Sequence, residues 1–194
     1  APYLYQLVTT VQRDGEAIDH VTTPFGIRTF RFDSEKGFFL NGKQLKIKGT
    51  CNHQHFAGVG IALPDRLHEH KVQRLKEMGS NTYRCSHYPV APALLDACDR
   101  LGMLVVAENR RLGDSPDVLS ELESMVRRDR NHPSIVLWCL SNEDRLEATE
   151  AGARMGQAMK RLVNQLDPTR PVTAAVIRGF SMGLSRVVDV LGLN

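Results

Sequence analysis

Residues 1–33 alternate apolar and polar positions. Tyr3, Tyr5 and Leu7 fall on one side of a first run, and Phe30 and Phe32 on one side of a later one. Successive side chains of a strand point to opposite faces, so this period of two predicts β-strands. "RDGE" at 13–16 offers the Asp-Gly turn of a hairpin. Three short strands with so few apolar residues are too little for a free-standing domain. They are expected to be the remnant of a β-sandwich, with the boundary after residue 33. "FFLNGKQLKIKGT" at 38–50 then places Asn-Gly between apolar runs, a second hairpin signal.

Beyond residue 34 the rhythm changes to strand-like runs alternating with helical stripes. The strands are expected at about 45–50, 80–84, 103–106, 134–140, 172–176 and 188–193. Between them Asp65 is suited to cap a helix whose inner face carries Leu67, Val72, Leu75 and Met78, with Gly79 ending it. Leu94, Cys98 and Leu101 stripe a second helix that stops at Gly102. Ser115 and Pro116 supply the N-cap and first residue of a third. Ala151, Met155, Met159, Leu162 and Leu166 stripe a fourth, which stops before Pro168. Strands and helices in alternation with short links imply a parallel sheet, open or closed as a barrel. No glycine fingerprint follows the first strand, which weakens a dinucleotide-binding open sheet. At about 30 residues per strand–helix unit, residues 38–194 leave room for about six units, not eight. The fold class is therefore α/β: a truncated (β/α)8 TIM-type barrel of about six strands, preceded by the short sandwich remnant.

The barrel is favoured over the open sheet by where polar residues fall. "CNHQH" follows the first strand, "RCSHYP" the second, "AEN" the third and "SNE" the fourth. In a barrel all these ends open on one face, so His53, His87, Glu108 and Glu143 would converge in one bowl. Each also has a structural alternative: a hydrogen-bonded His53, a loop-shaping His87, a Glu108 paired with Arg110 or Arg111. Glu143, at the end of the apolar run "SIVLWCL", is expected at the rim of an apolar barrel, a place suited to a general acid. His53 and His55 form an H-x-H pair. On an extended strand both would face the bowl, and with His87 and Glu108 or Glu143 a divalent metal is geometrically possible. No cofactor is otherwise called for.

Composition narrows the partners. The net charge of +3 arises from interspersed charges, Asp129 interrupting Arg127, Arg128 and Arg130, and aromatic content is 6%. No nucleic-acid partner is expected. No run approaches the ~20 apolar residues of a membrane span. The first ten residues lack the pattern of a secretory leader. Cys51, Cys85, Cys98 and Cys139 lie far apart without a C-x-x-C pair. Reduced thiols and a cytoplasmic location are the expectation.

With these motifs in order, the chain resembles the family 2 glycoside hydrolases, the β-galactosidase and β-glucuronidase group. The landmarks are "FFLNGKQLKIKGTCNH", "NTYRCSHYP", "LLDACDRLGMLVVAEN", "RRDRNHPSIVLWCLSNE" and "LDPTRPVT". The resemblance implies an immunoglobulin-like sandwich for residues 1–33 and assigns roles to the bowl. Glu143 matches the family's acid/base glutamate, and Asn142 the asparagine that contacts the sugar 2-hydroxyl. His53 and His87 match histidines lining the sugar subsite, and Arg84 an arginine that supports the nucleophile. The substrate-binding set is thus His53, Arg84, His87, Asn142 and Glu108, acting on a carbohydrate. Three positions depart from the family pattern: Ala107 removes a supporting carboxylate, Ser141 replaces a glycine, and His55 stands where relatives often carry aspartate.

The resemblance puts the nucleophile at the end of the seventh strand, whereas "DVLGLN" looks like the sixth. The chain is expected to carry the acid/base glutamate without the nucleophile and to be weak or inactive as a glycosidase alone. A small ester hydrolase working through His53, His55, Ser86, His87, Ser141 and the two glutamates, with or without metal, is an alternative. A non-catalytic sugar-binding or interaction module is another. An incomplete barrel also leaves sheet edges open, so a homo-oligomer covering the open side is expected.

Overall fold

The computed structural model describes residues 2–194. Strands β1 (Tyr5–Arg13) and β2 (Glu16–Phe25) form an antiparallel hairpin. It turns at Asp14 and Gly15, which both have positive φ, 53° and 84°. That is the geometry Asp-Gly favours. The hairpin stands out from the body, with Tyr5, Leu7, Val8, Val11, Ile18 and Val21 exposed. Strands β3 (Phe30–Asp33), β4 (Gly37–Leu40) and β5 (Lys43–Gln44) make a small antiparallel sheet, turning at Asn41-Gly42. Its Phe30, Phe32 and Phe38 pack with Leu104 and Val136.

Six parallel strands follow in sequence order: β6 (Gly49–Asn52), β7 (Thr82–Cys85), β8 (Leu104–Glu108), β9 (Ile135–Asn142), β10 (Val172–Val176) and β11 (Val190–Leu193). Helices α1 (Asp65–Glu77), α2 (Pro92–Leu101), α3 (Pro116–Asp129) and α4 (Glu150–Leu166) connect the strands from β6 to β10, and a 3-10 turn (Gly183–Arg186) leads into β11. The sheet is curled: Asn194, just past β11, reaches Asn142 of β9 and Arg84 of β7, skipping the strands between. These residues thus form six strands of a TIM-type barrel. Leu104 and Val136 lie at the N-terminal ends of β8 and β9, so the small sheet of phenylalanines seals the bottom of the barrel. Between the small sheet and β11 lies an open cavity of about 1190 Å³, lined by Phe32, Phe38, Ile47, Val190 and Leu191 together with charged residues such as Lys46 and Asp189.

Four expectations are corrected. The first barrel strand begins at Gly49 rather than residue 45, because Asn81 takes up the backbone of the preceding segment: its amide donates to Lys46 O and accepts from Lys48 N. Pro64, not Asp65, occupies the N-cap of α1. That helix buries His68 and Val72 and leaves Met78 65% exposed. The buried stripe of α4 runs through Gly152, Gly156, Met159 and Val163. At Gly156 a Cβ would stand 2.3 Å from Leu184 Cδ1, so a larger residue there would require the Leu184 side chain to move.

The barrel bottom is locked by buried charge. Asp167 accepts from the Trp138 indole at 2.9 Å and from Arg170 Nη1 at 2.6 Å. Arg170 also donates to Ile135 O and His132 O, satisfying its fork. Arg28 donates from the other side to Pro133 O and Ile135 O, joining the N-terminal strands to the barrel. Burial, and then the charge of Arg170, press its pKa down to about 10. Burial pushes the Asp167 carboxyl up, but the donors Thr169, Trp138 and Arg170 outweigh it and hold its pKa below the ordinary value. A lowered carboxyl pKa stabilises the fold fully above the unfolded value, about 3.9, and that share is lost as pH falls through the folded pKa. Asp167→Ala should cost about 3–5 kcal/mol at pH 7, since it leaves Arg170 buried without its counter-charge. It should also flatten the acid limb of stability. Urea unfolding at pH 7 and pH 3 checks both.

Candidate active site

The mouth of the barrel is built on Glu108, the last residue of β8, whose side chain has 0% exposure. Its Oε2 lies 2.7 Å from Arg84 Nε and Nη2, and its Oε1 lies 2.7 Å from His87 Nδ1. A carboxylate only accepts, so His87 directs an Nδ1–H at it. Arg84 extends the chain, donating from Nη2 to Asn142 Oδ1 at 2.6 Å. Burial works against the Arg84 charge, but the carboxylate of Glu108 outweighs it and raises the guanidinium pKa. Three neighbouring strands thereby share one hydrogen-bonded network.

Asn194 closes the network from the far side. Its amide donates to Glu143 Oε1, and its Oδ1 accepts from Arg84 Nη1 at 3.4 Å. Glu143 follows β9 with a positive φ of 50°, and its backbone N–H donates to Ala175 O of β10 at 2.8 Å. The apolar surroundings expected for Glu143 are absent here, for its side chain is exposed.

Arg84, His87, Glu108 and Asn142 are therefore brought together directly, and Glu143 through Asn194. His53 joins by ring contact, its centroid 5.3 Å from that of His87 in an edge-on arrangement. Strand β6 ends at Asn52, so His53 and His55 lie beyond it rather than as strand neighbours. Lys71 Nζ holds both their carbonyl oxygens, at 2.6 and 3.1 Å. Glu108 pairs with neither nearby arginine: Arg111 binds Asp117 and Glu121 instead. Among the described residues, the trio of possible metal-donor groups within 4.8 Å of one another is Asp96, Asp99 and His132. It lies at the opposite end of the barrel, where Asp99 is engaged by His132 and the Ser134 N–H.

The hydroxyls of Ser86 and Ser141 are buried without a hydrogen-bond partner. Among the described residues, no base lies within hydrogen-bond distance of either one. Burial, reinforced by the charge of Glu108, pushes the thiols of Cys85 and Cys139 up, making them neutral core groups. Sequence reasoning missed Asn194 and Gln54. Asn194 ends the apolar run "VLGL" just as the other mouth residues end theirs, so the same rule would have found it. Gln54 is buried and binds the Ala91 N–H with its Oε1, while its own N–H donates to the Tyr88 hydroxyl. No local signal marks it.

A parallel barrel whose strand ends gather histidine, arginine, asparagine and two glutamates has the form of a glycosidase barrel. The chain belongs to glycosyl hydrolase family 2: that family's TIM barrel domain matches residues 33–116 and 112–191, and a second family 2 domain matches residues 1–28. It is 41% identical, over an alignment of 239 residues, to the β-galactosidase BoGH2A of Bacteroides ovatus. It is 37% identical over 188 residues to a β-glucuronidase of Bacteroides fragilis. The alignments take in 100% and 90% of this chain but only 28% and 27% of those proteins, so the chain spans little more than a quarter of their length. A family 2 member from Bacteroides cellulosilyticus superposes with a TM-score of 0.92 at 41% identity, over 100% of this chain and 27% of that one.

Removing Glu108 should be severe, because Arg84 would keep its charge without the buried partner. Glu108→Gln is expected to cost about 3–5 kcal/mol, read by urea unfolding, and replacing Arg84 by Met in the same protein should recover part of the loss.

Proposed function

We propose that this chain carries the acid/base half of a retaining glycosidase site acting on β-galactosides or β-glucuronides. The observation that supports it best is the buried Glu108, which fixes Arg84, His87 and, through Arg84, Asn142 beside Glu143. Glu143 is the general acid that protonates the glycosidic oxygen as the bond breaks, and the base that then activates water. Asn142 holds the sugar 2-hydroxyl, His53 and His87 line the subsite, and Arg84 orients Asn142. Residues 1–28 are the end of a sandwich domain, a reading supported by a separate family match there, while β3 (Phe30–Asp33) pairs with β4 beneath the barrel.

Retention needs a second carboxylate about 5–5.5 Å from the first. The candidates near Glu143 are already committed. Glu108 is bound to Arg84 and His87, Glu147 accepts two backbone N–H groups, and Asp144 accepts from Leu146 N. The nucleophile is to be sought outside residues 1–194. By itself this chain binds sugar with little turnover.

The 194-residue chain should therefore release almost no nitrophenol from nitrophenyl β-galactoside or β-glucuronide. Robust hydrolysis with retained configuration would show that a nucleophile has been recruited from within it. If hydrolysis is found, Glu143→Gln should depress it most for poor leaving groups, by about 10²–10⁴-fold. An unchanged rate would remove Glu143 from the reaction. The chain should also self-associate, covering the unpaired edges β6 and β11. A monomer in sedimentation at micromolar concentration would contradict that.

A further inference from the structure

The left-handed backbone of Glu143 is one that a residue other than glycine holds only when its surroundings fix it. The loop after it is gripped closely. A Cβ on Gly152 would stand 2.1 Å from Leu146 O, and one on Gly183 would stand 2.1 Å from Glu147 O. Leu184 N donates to that same Glu147 oxygen at 2.7 Å.

At the centre of this grip lies Glu147, a carboxylate with 0% side-chain exposure that the proposed hydrolysis does not use. Its Oε1 accepts from Ile177 N and Arg178 N, both at 3.0 Å, and its Oε2 has no hydrogen-bond partner among the described residues. Arg178 Nε stands 3.6 Å from Oε1, on a side chain that is half exposed. A buried carboxylate so sparsely compensated is unfavourable unless the bonds it makes secure something. Those bonds go to the residues that directly follow β10. Glu143 N bonds Ala175 O of that same strand. The segment from Glu143 to Glu147 is thus fastened at both ends to β10.

We propose that Glu147 is a positioning residue for Glu143, fixing where the acid stands as it leaves β9. Its catalytic meaning rests on Glu143 being the acid; the fastening does not. A general acid must meet the leaving oxygen within hydrogen-bond reach, and a displacement of about 1 Å costs on the order of 10²-fold in rate.

Amide hydrogen exchange on the ¹⁵N-labelled chain tests the fastening independently of any activity. Glu147→Ala removes the acceptor. Glu147→Gln keeps the accepting oxygen and places its amide nitrogen where Oε2 has no partner. In the alanine protein, exchange at Glu143, Ile177 and Arg178 should quicken about tenfold or more, while Val105, in the barrel centre, keeps its rate. In the glutamine protein all should stay within about threefold of the parent. Unchanged exchange at these amides in Glu147→Ala would overturn the proposal, and so would equal loosening in both variants. If the alanine protein does not fold, the glutamine protein decides: protection at Glu143 supports the proposal and its loss overturns it. Should Glu143→Gln prove harmless to hydrolysis, the acid assignment fails while this exchange result stands.

Discussion

Glu108 is a carboxylate sealed from solvent, and the mouth of the barrel is arranged around compensating it. Leaving such a charge unpaired would cost several kcal/mol. Arg84 and His87 must therefore stay within hydrogen-bond distance of it. Those two are not free to rearrange. Arg84, once held, sets Asn142. Preorganised polar groups cost no reorganisation when a ligand binds or reacts.

The same logic operates at the other end. Asp167 and Arg170 clasp the bottom of β9 through Trp138, Ile135 and His132, and Arg28 adds a third charged group from the N-terminal strands. Strand β9 is buried along almost its whole length and delivers Asn142 and Glu143 to the mouth. Its two ends are thus fixed by two separate ionic clusters with an apolar stretch between them. Glycines complete the arrangement: Gly152 and Gly183 let α4 and the turn before β11 close on the loop behind Glu143.

Much of this was legible in the sequence. The Asp-Gly and Asn-Gly pairs mark their turns because few other residues adopt two successive positive φ values. Polar residues at the ends of apolar runs mark four of the six strand ends that form the mouth, and Asn194 obeys the same rule. What escaped was tertiary. Glu147 lies four residues after Glu143 in a polar stretch with nothing to mark it, and only packing against the end of β10 buries it. The inner face of α4 centres on glycines, which a hydrophobic stripe does not count. His68 is polar by composition, yet the helix turns it inward. Glu108 was recognised at its strand end, but its partners were sought among the next arginines in sequence. The barrel instead brings Arg84 from 24 residues away.

The central claim is that the network on Glu108 holds a sugar subsite ready beside Glu143. An NMR titration of the labelled chain with D-galactose and D-glucuronate, repeated on Glu108→Gln under conditions where it remains folded, tests this most directly. The account predicts shift changes concentrated at His87, Asn142 and Glu143 in the parent and largely lost in the variant. Shifts absent from the mouth, or undiminished without the Glu108 charge, would contradict it.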